Sequence, residues 1–200
     1  MKLYYSPGAC SMSPHILTQE AGIPLELVKV DLKSKKTEHD DDFTAINPKG
    51  YVPALALDDG RVITEGVAID LYLGGLKPEA ELVPAADSPQ YLEFLEWMLF
   101  ITTELHKGFS PLFAPLPEEA KTMLKKKLEP RLAYVAKALD GKDYLFHNRF
   151  TAADAYLFTV LNWAPKVKLD LSEWPVFETY TQRLADRPAV QMAMKLEGLR

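Results

Sequence analysis

Cys10 is the residue whose chemistry constrains the rest of the chain. It is the one cysteine present, it follows a Ser6-Pro7-Gly8 turn, and it precedes a run that reads as a helix. The unpaired N–H groups of a helix start favour an anion. Such positions lower a thiol from ~8.5 to ~3.5–7.5, so the sequence predicts a partly ionised Cys10. The same place also suits a small buried hydrophobe. Ser11 offers a hydroxyl that could stabilise a neighbouring thiolate, or it serves only as the helix N-cap. A second cluster, Thr103, Glu104, His106 and Lys107, interrupts an otherwise apolar helix, with Thr103 spaced i, i+3 from His106 and i, i+4 from Lys107. It reads either as a ligand-facing group or as a solvated helix end whose cations suit the dipole. Glu65 follows a strand and opens a helix, where an acid is favoured in any case. A metal-ligand spacing such as HExxH, a nucleophile triad and a phosphate-binding glycine-rich loop are all missing from the sequence. A lone cysteine also excludes paired-cysteine zinc and an intramolecular disulfide, so no metal is expected. His15, His39 and His147 show no partner pattern.

The elements that must position these groups fall into two parts. Met1 to Tyr5 reads as a strand, Ser11 or Ser13 as the N-cap of a helix with Ile16, Leu17 and Ala21 on its apolar face, and Leu25 to Val30 as a second strand. This β-α-β unit requires parallel strands with a right-handed crossover. The polar stretch KSKKTEHDDD reads as loop. Pro53 to Leu57 and Arg61 to Thr64 form an antiparallel hairpin across Asp58-Asp59-Gly60. Glu65 to Leu73 is a helix whose face Val67, Ile69, Leu71 and Tyr72 should pack on the sheet. The first part is thus β-α-β followed by β-β-α.

Residues 77–87, KPEAELVPAAD, have linker composition, and residues 88–200 read as helices separated by proline-marked turns. Gln90 to Pro111 is apolar nearly all round and should be buried on several sides. The helix after Pro117 shows Met123, Leu124, Leu128, Leu132 and Val135 to the core and is open to a kink at Pro130. Phe150 to Trp163 should be the central helix, opened by a Thr151 to Asp154 capping box. Trp174 to Ala185 and Ala189 to Leu196 complete the bundle. The division expected is 1–76, a linker at 77–87, and 88–200.

Composition agrees with a folded protein of ordinary kind. The 200 residues are 48% hydrophobic and 26% charged, which is too apolar for disorder. A net charge of −5 offers no basic surplus for nucleic acid or an anionic membrane. MKLYYSPGAC stops too early for a signal-peptide apolar region, and no apolar run approaches a bilayer span of ~18 residues. A cytoplasmic location is expected, with no membrane partner.

MKLYYSPGACSMSPHI, AINPKGYVPAL, TEGVAIDLYL, ELHKGFSPLF and FTAADAYLFTVL, taken in order along nearly the whole chain, resemble the bacterial, beta-class cytosolic glutathione S-transferases. The resemblance implies a thioredoxin-like α/β first domain, an all-α helical bundle, and a homodimer holding glutathione, as co-substrate, between the domains. It places Cys10 against the glutathione sulfur. It gives the Val52 backbone a strand-like contact with the cysteinyl residue, and makes Pro53 the cis proline. Glu65 and the Gly66 N–H fall at the γ-glutamyl end, and Lys35 at the glycine carboxylate. Thr103, Glu104, His106 and Lys107 approach glutathione from the helical domain, the first of them from the partner subunit. Gly66 stands where many members have Ser or Thr, and Leu99 where close relatives have Asn. Both departures imply weaker glutathione binding or a differently made dimer contact. The hydrophobic staple is weak too, since Phe150 would face Ala155.

The function implied is conjugation of the glutathione thiolate to small hydrophobic electrophiles. Cys10, Ser11 and His106 would serve the sulfur, and Phe109, Phe113, Tyr156 and Trp163 would form the electrophile pocket. Cys10 also admits a monothiol reductase or peroxidase reaction. The changes at Leu99 and Gly66 admit a ligand-binding dimer without catalysis.

Overall fold

Alternation in Lys2–Tyr5 (β1) sends Leu3 and Tyr5 to one face of a sheet and Tyr4 to the other. A computed structural model describes residues 1–199. After β1 come α1 (Met12–Glu20), β2 (Glu26–Asp31), β3 (Lys36–Thr37), α2 (Phe43–Ile46), β4 (Ala54–Ala56), β5 (Val62–Thr64) and α3 (Gly66–Leu76). The sheet order is β3-β2-β1-β4-β5. β1 and β2 are parallel, with Leu3 opposite Leu27, and β4 and β5 are antiparallel, as expected from the β-α-β and hairpin signals. The polar stretch expected as loop contains the short strand β3, paired antiparallel with β2 through Val30 and Thr37. Helix α2 was not legible either. It is one turn long, capped by Asp42, and it buries Phe43 beneath Tyr4, Val28 and Val52 on one face of the sheet.

Helix α3 turns otherwise than expected. Ile69 and Leu73 pack on the sheet with Leu3, Leu55 and Leu57, whereas Val67 and Leu71 face the helical part. Gly74 lets this helix meet the chain that follows, since a Cβ there would lie 2.3 Å from Val83 Cγ2, while one on Gly75 would meet nothing within 4 Å. Gly→Ala in a helix normally gains ~1 kcal/mol. Here Gly75→Ala is expected to raise the midpoint of thermal unfolding. Gly74→Ala is expected to lower it, because overpacking costs roughly 1–3 kcal/mol. Equal midpoints for the two variants would refute the close approach.

The helical part comprises α4 (Tyr91–Phe100), a π-helical segment Ile101–His106, α5 (Lys107–Phe109), α6 (Glu118–Leu139), α7 (Ala152–Leu161), α8 (Val176–Ala185) and α9 (Pro188–Leu196). Residues 77–87 are not a free linker. Pro78–Ala80 forms a 3-10 turn, Leu82 is buried in the helical core, and its carbonyl accepts from the Ala152 N–H at 2.9 Å. Every residue of α7 is buried, so it is the central helix as expected. Asp154 accepts from the Thr151 N–H at 2.9 Å within the capping box. Two expectations fail. In α4 only Phe94 and Met98 are buried, while Leu92 is 75% and Leu99 48% exposed. In α6 Met123 faces solvent; the helix continues through Pro130, which is exposed.

Helix α1 joins the two parts. Met12, Ile16 and Leu17 belong to the helical core. Its buried His15, for which the sequence showed no partner, pairs through Nδ1 with Glu197 Oε1 at 2.9 Å.

Candidate functional site

The chain between β1 and α1 is held from both sides. The Gly8 N–H donates to Glu197 Oε2 at 2.8 Å and the Gly8 carbonyl accepts from Trp163 Nε1 at 2.8 Å. Gly8 itself has φ +68°, a left-handed conformation that suits glycine. This loop presents Cys10 to a cleft of about 760 Å³ between the sheet and the helices. Val52, Pro53, Glu65 and Gly66 line one wall. His106, Lys107, Phe113, Tyr156 and Trp163 line the other.

Cys10 Sγ donates to the Val52 carbonyl at 3.2 Å. Its thiol is pushed up to about 12, chiefly by burial; the backbone N–H groups of Cys10 and Ser11 and the Lys107 ammonium oppose this without prevailing. The expectation of a partly ionised Cys10 is therefore corrected: desolvation outweighs the helix start, and the group is a neutral thiol at pH 7. Ser11 contributes through its backbone, because its buried hydroxyl is turned to Ser6, accepting from the Ser6 N–H at 3.2 Å and donating to the Ser6 carbonyl. It neither caps α1 nor reaches the sulfur by its side chain. The Val52–Pro53 peptide is cis.

Glu65 sits in the turn from β5 into α3 at φ 72°, ψ 121°, a backbone conformation costing roughly 1–3 kcal/mol for a non-glycine residue. Its Oε1 accepts from Lys49 Nζ at 2.5 Å and from the Tyr51 hydroxyl at 2.8 Å, and these two donors hold its carboxyl below the usual range. The sequence reading missed both partners. A Cβ on Gly66 would meet only Pro53 Cγ, at 4.0 Å, so nothing steric requires glycine there.

On the helical wall, the π-helical segment carries Thr102 and His106 to the cleft. Such insertions recur at functional sites. His106 Nδ1 lies 2.6 Å from the Tyr156 hydroxyl. Burial, with the Lys107 charge second, lowers its pKa to about 4, so the ring is neutral at pH 7 and a weak base. Burial likewise raises Tyr156, which stays a phenol. Phe113 and Trp163 meet edge to face at 5.8 Å between ring centroids.

Some expected residues lie elsewhere. Phe109 is fully buried behind Trp163 and forms core rather than pocket wall. Thr103 bonds its own helix at the Leu99 carbonyl, and Glu104 pairs with Arg131 at 3.0 Å; neither lines the cleft. Lys35 Nζ donates to the Gly50 carbonyl at 2.7 Å and is also outside it. Among the described residues, no three His, Cys, Asp or Glu side chains converge as metal ligands, and no helix is long and apolar enough to cross a membrane.

A thiol held before a helix start on a thioredoxin-like sheet, facing an aromatic wall of a helical bundle, defines a two-part thiol-handling protein. The family models for the glutathione S-transferase N-terminal and C-terminal domains match residues 8–76 and 100–188, and the chain belongs to the glutathione S-transferase family. It is 50% identical to glutathione S-transferase GstA of Escherichia coli O157:H7 over the whole of both chains. It is similar to two solved structures, again over the whole of both chains. One is a sphingomonad glutathione S-transferase complexed with glutathione, at 44% identity and a TM-score of 0.95. The other is the bacterial beta-class enzyme of Sphingomonas chungbukensis, at 42% and 0.96. The expected beta-class relationship and the glutathione transferase fold are thus borne out.

Proposed function

We propose that this chain conjugates glutathione, through its thiolate, to small hydrophobic electrophiles, in the manner of a detoxifying transferase. The observation that carries the reading is the single cleft in which a thiol donor, an anion-handling strand-to-helix turn and an aromatic wall meet. Glutathione would lie along Cys10, Val52, Pro53, Glu65 and Gly66. Its γ-glutamyl amine would meet the Glu65 carboxylate, and its α-carboxylate the N–H groups at the start of α3. The thiolate is the nucleophile, and the neutral Cys10 thiol, the N–H groups of Cys10 and Ser11, and the Lys107 ammonium would favour it over the thiol. His106 would serve as a neutral hydrogen-bonding group. Lys35 reaches a glycine carboxylate only by leaving Gly50. Phe113, Tyr156 and Trp163 would hold the electrophile.

The same reading makes the chain a homodimer. Leu92, Leu99 and Thr103 follow one another on the solvent side of α4 and the segment after it. Across this exposed stripe Thr103 of one subunit would approach the glutathione held by the other. The proposed domains are 1–76 and 88–200, and the unpaired Cys10 fits a reducing, cytoplasmic setting.

The test is conjugation of glutathione to 1-chloro-2,4-dinitrobenzene, and a rate no higher than the buffer blank would reject the reading. Because His106 protonates only near pH 4, its ionisation should leave no inflexion in kcat/KM between pH 5.5 and 8. His106→Phe is expected to lower kcat/KM about tenfold, the loss of one hydrogen bond near a charged sulfur. An inflexion near pH 6.5 that His106→Phe abolishes would contradict the neutral-imidazole role. The presence of Cys10 in the cleft favours a second activity, glutathione-dependent reduction of disulfides through a Cys10–glutathione mixed disulfide, resolved by a second glutathione.

A further inference from the structure

We propose that Lys166 recognises an anionic group on the electrophile, so that the cleft takes aromatic electrophiles bearing a carboxylate. This rests on the transferase reading and goes beyond it in naming the substrate class. Lys166 stands on the 3-10 turn Pro165–Val167 that follows α7. Pro165 opens this turn, Lys168 closes it at φ 53°, and Lys125 Nζ pins it by donating to the Lys168 carbonyl at 2.8 Å. The turn carries the Lys166 ammonium over the catalytic loop: Nζ lies 2.7 Å from the point where a Cβ on Gly8 would be, two residues before Cys10. It lines the cleft with Phe113 and Trp163, and Trp163 meets the same Gly8 through its Nε1.

The nearby carboxylates are engaged elsewhere: Glu197, which accepts from the Gly8 N–H, is buried against His15. Among the described residues lining the cleft, the one carboxylate is Glu65, already engaged by Lys49 and Tyr51. Lys166 has no hydrogen-bond or ion-pair partner among the described residues. The other ammonium lining the cleft, Lys107, acts on Cys10, whose thiolate it favours. An aromatic ring against Phe113 and Trp163 that carried a carboxylate toward Lys166 would place its reactive carbon near the sulfur. A charge-assisted bond of this kind is stronger than a neutral one; Lys166 is itself exposed, so water screens the pair in part and the contact of the ring with Trp163 must hold the carboxylate in place.

The test uses 4-chloro-3-nitrobenzoate and its methyl ester. In each case the glutathione sulfur gives an electron pair to the carbon bearing chlorine, the C–S bond forms, the C–Cl bond breaks with chloride leaving, and the thiol proton passes to solvent. The two probes differ in intrinsic reactivity, so the measure is the acid-to-ester ratio of kcat/KM, compared between wild type and variants. Lys166→Met is expected to lower that ratio about tenfold, and Lys166→Arg to keep it within threefold of wild type. A second arm measures binding of the unreactive 3-nitrobenzoate to the glutathione-loaded protein by calorimetry, with Kd expected to rise about tenfold in Lys166→Met. If wild type turned over neither chloride, the transferase reading would fail while the binding arm still judged Lys166. A Kd in Lys166→Met within twofold of wild type overturns the proposal whatever the turnover ratio shows.

Discussion

Alkylated with iodoacetamide at pH 7 in the absence of glutathione, Cys10 is expected to react about 100-fold more slowly than a free thiol. A group with a pKa of about 12 is ionised to about one part in 10⁵ at that pH, whereas a free thiol near ~8.5 is a few per cent thiolate. That is roughly a 3,000-fold deficit in the reactive form. The more basic sulfur is the better nucleophile, with a Brønsted slope of ~0.4–0.5, which returns a factor of roughly 25–60. The rate should climb with pH past 10 without levelling. An alkylation rate at pH 7 equal to that of free cysteine would show a thiolate, and would move the weight of the functional reading toward redox chemistry.

The same geometry separates the two reactions of the cleft. Cys10→Ala removes a weak S–H donor from beside the glutathione sulfur, and conjugation is expected to fall by about tenfold or less. Reduction of a low-molecular-weight disulfide by glutathione requires sulfur at position 10 for the mixed disulfide, so in the variant it should drop to the uncatalysed rate. Loss of both activities together would mean that Cys10 shapes the cleft rather than dividing its chemistry.

How much of this was legible in the sequence depended on how far apart the participants lie along the chain. The order of strands and helices followed from short-range patterning, and Cys10, Glu65 and His106 were found because each stands at an element boundary or breaks an apolar pattern. Lys49 and Tyr51, which hold Glu65, are 16 and 14 residues away, and the Lys166 ammonium reaches Gly8 across the whole fold. No local signal announces such pairs. Thr103 stands off this chain's own cleft for a geometric reason. A 3.6-residue turn puts it beside His106, but the segment 101–106 is π-helical, and the extra residue per turn swings Thr103 off the cleft and leaves Thr102 on it. Phe109 failed because periodicity cannot tell an aromatic residue lining a cleft from one packed behind it. The ionisation of Cys10 failed because the sequence shows the helix start and not the burial that opposes it.

The largest stability effect is expected at Asp154, which is fully buried and far from the reacting groups. Its Oδ1 accepts from the Leu145 N–H at 2.7 Å and the Tyr180 hydroxyl at 2.9 Å, and its Oδ2 from the Thr151 N–H and hydroxyl at 2.9 and 3.1 Å. One carboxyl thus ties the loop before α7, the start of α7 and the middle of α8. Asp154→Ala strands two buried N–H groups and two hydroxyls. At ~1–3 kcal/mol for each unsatisfied buried group, with some relief by relaxation, the loss should be about 3–5 kcal/mol. At roughly 2–4 °C per kcal/mol for a chain of this size, the thermal midpoint should fall by about 10 °C. A subtler signature distinguishes the titrating carboxyl from mere shape. Burial outweighs the four donors and raises its pKa to about 6, above the ~3.9 of an unfolded aspartate. The folded chain therefore holds this proton more tightly than the unfolded chain. The contribution is fully present below pH 4 and is lost as pH rises to 6, with a total of order 3 kcal/mol. Asp154→Asn removes the titration, so the difference in unfolding free energy between wild type and this variant should change between pH 4 and 6 and be level above 7. Urea unfolding across that range measures it. An Asp154→Ala loss under 1 kcal/mol, or a difference that stays flat from pH 4 to 7, would show that Asp154 is neither the tie nor the titrating group described.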